Sequence, residues 1–192
     1  LKKLKIDKKT LVVFTSDNGP WLVYKSHSGS AGHLRNGKGT TWEGGVRVPT
    51  MFWGNNIKPG VIRDLGSTLD LYTTFLSLSK IKSQNNMIID GYDLTKTLFK
   101  KEKSPRKEMF YYNGGELYAV RLNDFKLHFK TSDWFKQPKI HNPPLLYNLN
   151  IDPSEKLNIA NENPEKIKEI LKLVEDHKSK MVKGEDQMAN RL

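Results

Sequence analysis

The chain opens with charged and apolar residues mixed, then compresses four apolar residues into Leu11-Val-Val-Phe14. A short run rich in β-branched residues and closed by turn chemistry predicts a buried strand, of the kind found in parallel sheets covered on both faces. Residues 19–47 are dominated by Gly, Ser, Thr, Asn and His and show no period. A connection of that length exceeds the usual loop, and such loops tend to carry function or disorder. Val48 to Trp53 predicts a second buried strand, with Pro49 at its start and a turn at "NNIKPG" behind it.

From Asp70 the period changes. Leu71, Tyr72, Phe75, Leu76 and Leu78 recur at helical spacing behind Asp70, which reads as the cap. Leu94 to Phe99 predicts a further helical turn, and the charge-dense "KKEKSPRKE" marks a boundary between units 1–107 and 108–192. Beyond it "EMFYY", "LYAVRL", "FKLHFK" and "LLYNL", separated by turns, predict an antiparallel meander. The last element is an amphipathic helix: Asn163 as cap, Pro164 at the first helical position, apolar Ile167, Ile170, Leu171, Val174 and Met181, and Gly184 as the stop. It is expected to pack on the small sheet.

Composition narrows the function classes. The 192 residues carry a formal charge of +11. The excess is spread over scattered lysines, and no nucleic-acid motif or stacking aromatic set accompanies it, so a nucleic-acid partner is not expected. A basic surface still favours anionic substrates. No apolar run approaches the roughly 20 residues of a membrane span. The start has no apolar leader segment, and its first residue is Leu, which reads as a processed chain or a fragment. With no cysteine, the chain has no disulfide, no thiolate metal site and no thiol nucleophile.

Two stretches carry candidate chemistry. In "FTSDNGPW", Asp17 and Asn18 follow the strand at the end where open α/β sheets bind ligands. A carboxylate and an amide carbonyl are hard oxygen donors, suited to Ca²⁺ or Mg²⁺. The same residues are turn formers, so the tetrapeptide alone leaves both readings open. In "GKGTTWEGGVRVP", glycines flank Lys38, so backbone and ammonium can approach an anion together. It is not a P-loop, because no strand precedes the upstream glycine. Glu43 reads as a buried or capping carboxylate rather than a catalytic acid. His27 and His33 are candidate substrate contacts. Arg35 and Arg47 are either anion contacts or salt-bridge partners.

The segments "VVFTSDNGP", "LRNGKGTTWEGGVRVP", "STLDLYTTFLSL", "DGYDLTKTLF" and "PPLLYNLNIDPSEKLNIA", in that order, resemble the C-terminal half of sulfatases of the arylsulfatase A type, in the alkaline phosphatase superfamily. Thr73 departs from the resemblance where many relatives have proline. The resemblance implies an α/β fold: the C-terminal part of an alkaline phosphatase-like mixed sheet with flanking helices, plus a small antiparallel sheet packed by a C-terminal helix. It implies that Asp17 and Asn18 ligate Ca²⁺ and that Lys38 contacts the sulfate, with His33 a weaker substrate contact. His128 and His141 match histidines read as structural.

The nucleophile implied is a formylglycine made from C/S-x-P-x-R. The only Ser-Pro-Arg run, at Ser104, lacks that spacing, so the nucleophile is expected upstream and the isolated chain is expected to be inactive and to fold poorly. A phosphodiesterase or phosphonate hydrolase of the same superfamily and a non-catalytic sulfatase-like module are the alternatives. A periplasmic, lysosomal or extracellular location is implied by the resemblance alone. The specific sulfate ester and the oligomeric state are not legible.

Overall fold

The structure, a computed structural model, describes residues 1–54, 56–83, 87–133, 136–182 and 184. Among the described residues, two sheets and four α-helices follow in the order β1 (Leu11–Thr15), α1 (Glu43–Val46), β2 (Thr50–Gly54), α2 (Leu69–Ser79), α3 (Thr95–Lys100), β3 (Glu108–Asn113), β4 (Glu116–Leu122), β5 (Phe125–Thr131), β6 (Lys139–Asn148) and α4 (Pro164–Lys180). None of the described helices is long and apolar enough to cross a membrane.

The C-terminal half matches its sequence pattern. β3 to β6 form an antiparallel meander in sequence order. Alternation along β5 sends Leu127 to one face, against Val120, Leu146 and the α4 residues Ile170 and Val174, all buried. α4 starts as read, with Pro164 in its first turn. Asn163, however, spends its side chain on the Ile159 carbonyl (2.9 Å) rather than on a cap bond. The helix ends at Lys180, ahead of Gly184, and Met181 lies beyond it.

The opposite face of the meander is unusual. Lys126 and His128 of β5 point there and are fully buried, beside Ala119 and Arg121 of β4. They are covered by the loop holding Trp42 and α1, and Trp42 packs with Tyr147 and Leu149. The small sheet is therefore a two-sided layer, apolar towards α4 and ionic towards the long loop.

The N-terminal strands depart from expectation. β1 pairs antiparallel with β2, Leu11 opposite Gly54 and Thr15 opposite Thr50. Burial alternates along β1 rather than covering both faces. The cross-strand pairs Val12–Trp53 and Phe14–Met51 form an apolar face that no described residue covers, with Phe14 61% exposed. The long loop returns the chain beside β1 in the opposite direction, and so the pair is a ladder of reversed strands.

α2 differs in a similar way. Its apolar residues Leu69, Tyr72, Phe75 and Leu78 are exposed, whereas Asp70 and Thr74 are buried. Asp70 is not the cap, a position held by Thr68, but lies inside the first turn. Its carboxylate accepts from the Ser67 and Tyr92 backbone N–H groups, both at 2.8 Å, and from the Arg106 guanidinium at 2.6 Å. The Ser104–Arg106 run is thereby committed to structure: Arg106 is buried and also donates to the Asp90 carbonyl.

Candidate active site

The candidate site forms where three backbone segments meet. The turn after β1 is drawn onto α1 by the bond from Gly19 N–H to the Gly45 carbonyl, 3.0 Å. The Lys38 N–H donates to the Pro20 carbonyl at 2.9 Å, and the Gly44 N–H to that of Arg35 at 2.8 Å. Side chains are excluded from this crossing. A Cβ on Gly19 would sit 1.7 Å from the Gly44 oxygen, and one on Gly45 would sit 2.4 Å from the Thr40 oxygen. The glycine-rich sequence is thus a packing requirement that brings Asp17, Asn18 and Lys38 together.

A cavity of about 700 Å³ opens beside this crossing. Its lining includes Asp17, Asn18, Trp21, Lys38 and Arg47. Asp17 is exposed and Asn18 and Lys38 are half-buried. The Lys38 ammonium stands over the Trp21 ring, 5.1 Å from its centroid, which restrains its long side chain without neutralising it. Ser16 Oγ donates to the Asn18 carbonyl at 2.9 Å and steadies the turn. One carboxylate, one amide and two cations therefore face a single open cavity, an arrangement suited to an anion held with a hard cation. Among the described residues no three His, Cys, Asp or Glu side chains converge as a metal cluster.

The other candidates are placed differently. His33 is exposed and is not a lining residue, although its neighbour Leu34 is. The His33 carbonyl accepts from Ser154 Oγ at 2.7 Å. His27 ends a stretch of 3-10 turns, Leu22–His27, and does not line the cavity either. Arg35 donates to the Glu155 carbonyl at 2.7 Å and lies 3.7 Å over the Trp42 ring. Arg47 lines the cavity and stands 4.0 Å from Glu43. His141 Nε2 meets Thr131 Oγ1 at 2.8 Å.

Glu43 is buried, as its sequence context implies, but its partners were not legible. Lys126 Nζ lies 2.9 Å from Glu43 Oε1 and 3.2 Å from Glu155 Oε1. Glu155 Oε2 accepts from the Glu43 N–H at 2.6 Å, and its Oε1 lies 2.7 Å from His128 Nε2. Burial opposes charge on Lys126, yet the two carboxylates outweigh it and raise its pKa. Burial likewise opposes ionisation of Glu155, but the His128 hydrogen bond and the Lys126 charge hold it below the usual carboxylate range. Burial pushes His128 down to about 4, helped by Lys126 and resisted by Glu155. His128 is thus a neutral imidazole that donates from Nε2, and its Nδ1 has no hydrogen-bond partner among the described residues.

The chain is similar to known proteins over most of its length. The sulfatase profile matches residues 1–81 and the profile of the C-terminal region of aryl-sulfatase matches residues 104–192. Human arylsulfatase A is 42% identical over 170 residues, covering 79% of this chain and 33% of the human protein. N-acetylgalactosamine-6-sulfatase of Mus musculus is 35% identical over 216 residues, covering 98% of this chain and 41% of its own length. The crystal structure of the PsFucS1 sulfatase from Pseudoalteromonas sp. superposes with a TM-score of 0.85 at 30% identity, covering 93% of this chain and 38% of that one. The chain belongs to the sulfatase family, with the α/β fold of that family's C-terminal portion. It spans about a third of the length of the curated relatives it matches.

Proposed function

We propose that this chain is the C-terminal part of a calcium-dependent sulfatase that hydrolyses sulfate esters. The observation that carries the reading is the convergence of Asp17, Asn18 and Lys38 on one cavity, in a chain of the sulfatase family.

In this reading Lys38 binds the sulfate group. Its ammonium, held over Trp21, meets the negative charge that builds on the ester oxygens as the S–O bond breaks. Being half-buried, it acts in a medium where that charge is screened less than in bulk water. Arg47 adds a second positive charge to the same wall. His33, next in sequence to the lining residue Leu34 but not itself lining the cavity, is the weaker substrate contact of this reading.

The donors Asp17 and Asn18 fit a hard divalent cation and would hold Ca²⁺. Such an ion supplies Lewis-acid polarisation of a sulfate oxygen. Two donors are part of the roughly 6–8 oxygens that calcium takes, so the remaining ligands are assigned to the rest of the parent protein. The formylglycine nucleophile is assigned there too, since the chain has no cysteine and its Ser-Pro-Arg run is tied to Asp70.

The test is hydrolysis by the full-length gene product of matched aryl sulfate and aryl phosphate esters, with calcium removed by chelation and then restored. Sulfate release that disappears on chelation and returns with Ca²⁺ is expected. Preference for the phosphate ester would instead favour the phosphodiesterase or phosphonate hydrolase reading. Turnover of neither would favour a binding module.

A further inference from the structure

We propose that the buried cluster of Glu43, Lys126, His128 and Glu155 is a positioning lock, by which the small C-terminal sheet sets the loop that carries Lys38. The lock rests on the sulfatase reading for its catalytic consequence, but not for its geometry.

Glu155 grips the loop on both sides of Lys38. Its backbone carbonyl accepts from the Arg35 guanidinium at 2.7 Å, and its carboxylate accepts from the Glu43 backbone N–H at 2.6 Å. The turn that presents it is built for the purpose. Asp152 Oδ2 accepts from the Lys156 and Leu157 N–H groups, both at 2.8 Å, and Glu155 is held at φ 52. Left-handed backbone is rare for a side chain of that kind. Between the two grips, Trp42 is clamped with the Arg35 guanidinium 3.7 Å from its ring and the His128 ring 4.4 Å away, centroid to centroid.

Three donors converge on the one carboxylate: the Glu43 N–H, Lys126 Nζ and His128 Nε2. From Glu43 the constraint runs on without slack. Gly45, two residues along α1, accepts from the Gly19 N–H, next to Asn18, and the Gly44 N–H binds the Arg35 carbonyl. No side chain intervenes at these crossings to absorb a displacement. A buried ionic cluster of this size is no better a stabiliser than a well-packed apolar plug. What it adds is a single permitted register between sheet and loop, because the Glu43 N–H must meet Glu155 Oε2 while Lys126 and His128 share its Oε1.

Glu155→Gln removes one of two oxygens that three donors need, at almost constant volume. His128→Gln is the gentler variant, keeping a terminal N–H donor but losing the ring against Trp42, and it carries the comparison should Glu155→Gln fail to fold. Ile170→Val, in the apolar core on the other side of the sheet, is the control for destabilisation alone. Each is made in the full-length gene product. Amide hydrogen exchange is read in peptides covering 35–47 and 116–131, and kcat and KM are measured on an aryl sulfate.

The lock requires exchange in 35–47 to quicken by about ten-fold or more while 116–131 stays protected. It also requires kcat to fall by about ten-fold or more, as misplacement of a reacting group does, with Ile170→Val near wild type. Wild-type protection of 35–47 in both variants overturns the lock. So does loss spread equally over both segments, or an equal fall of kcat in Ile170→Val. A wild-type protein that releases no sulfate contradicts the sulfatase reading, and the exchange data then decide the lock by themselves.

Discussion

Lys126 and Glu43 lie 83 positions apart in the chain, and their side chains meet at 2.9 Å with neither reaching solvent. This contact joins β5, an inner strand of the C-terminal sheet, to the start of α1 behind the Lys38 loop. It ties the segment that follows Lys38 to the C-terminal sheet.

Lys126→Met leaves Glu155 without its buried cation and Glu43 with only the longer contacts to Arg121 at 3.8 Å and Arg47 at 4.0 Å. Removing one partner of a buried pair costs about 3–5 kcal/mol. The expected outcome is a large drop in the melting midpoint. Adding Glu43→Gln recovers part of the loss, so the double-mutant cycle is non-additive. Additive effects would show that the two side chains do not interact.

His128 gives the fold a defined acid sensitivity. Its pKa falls from 6.5 to about 4 on folding, so between these values the unfolded chain binds the proton and the native one does not. Stability is therefore full above 6.5 and declines as pH falls towards 4, by on the order of 3 kcal/mol. Glu155, with its depressed pKa, loses its contribution further down, below the ordinary carboxylate range, in the same direction. Denaturation midpoints measured across this range should flatten in His128→Gln. An unchanged slope would assign the acid sensitivity to other groups.

Arg106 binds Asp70 through Nε and Nη2 at 2.9 and 2.6 Å, and reaches the Asp90 carbonyl as well. A lysine ammonium cannot reproduce that planar fork. Arg106→Lys is expected to cost about 2–3 kcal/mol, the range of charge-assisted bonds. Chemical denaturation measures it, and a change within experimental scatter would contradict the assignment.

Gly45→Ala inserts a methyl group 2.4 Å from the Thr40 oxygen and 2.5 Å from the Gly37 oxygen. The Lys38 loop must shift to admit it. A loss of about 1–3 kcal/mol is expected from overpacking, with a disproportionate loss of turnover. Full activity would mean that the crossing of the three segments is not needed for the site.

The C-terminal sheet and α4 were legible because Leu127, Val120, Ile170 and Val174 obey the periods of their elements and bury one another. Asp17, Asn18 and Lys38 were singled out by turn chemistry and family resemblance and line one cavity, whereas His33, named with them, does not. The burial of Lys126 was not legible, and His128 was read as structural but without its partners. Two polar residues alternating with apolar ones read as a solvent face, and only the fold shows that the loop of Trp42 and Glu43 covers them. The clue available was that loop's length. α2 misled for the opposite reason: its buried side is made by Asp70 and Thr74, whose partners lie far along the chain.

The most direct test of the account is turnover of a sulfate ester by the full-length gene product carrying Asp17→Ala or Lys38→Ala. Each is predicted to lower kcat/KM by about 100-fold or more, the range seen when a group that stabilises transition-state charge is removed, while the melting midpoint stays near wild type, because both side chains face the open cavity. Wild-type turnover in either variant would contradict the assignment of the site.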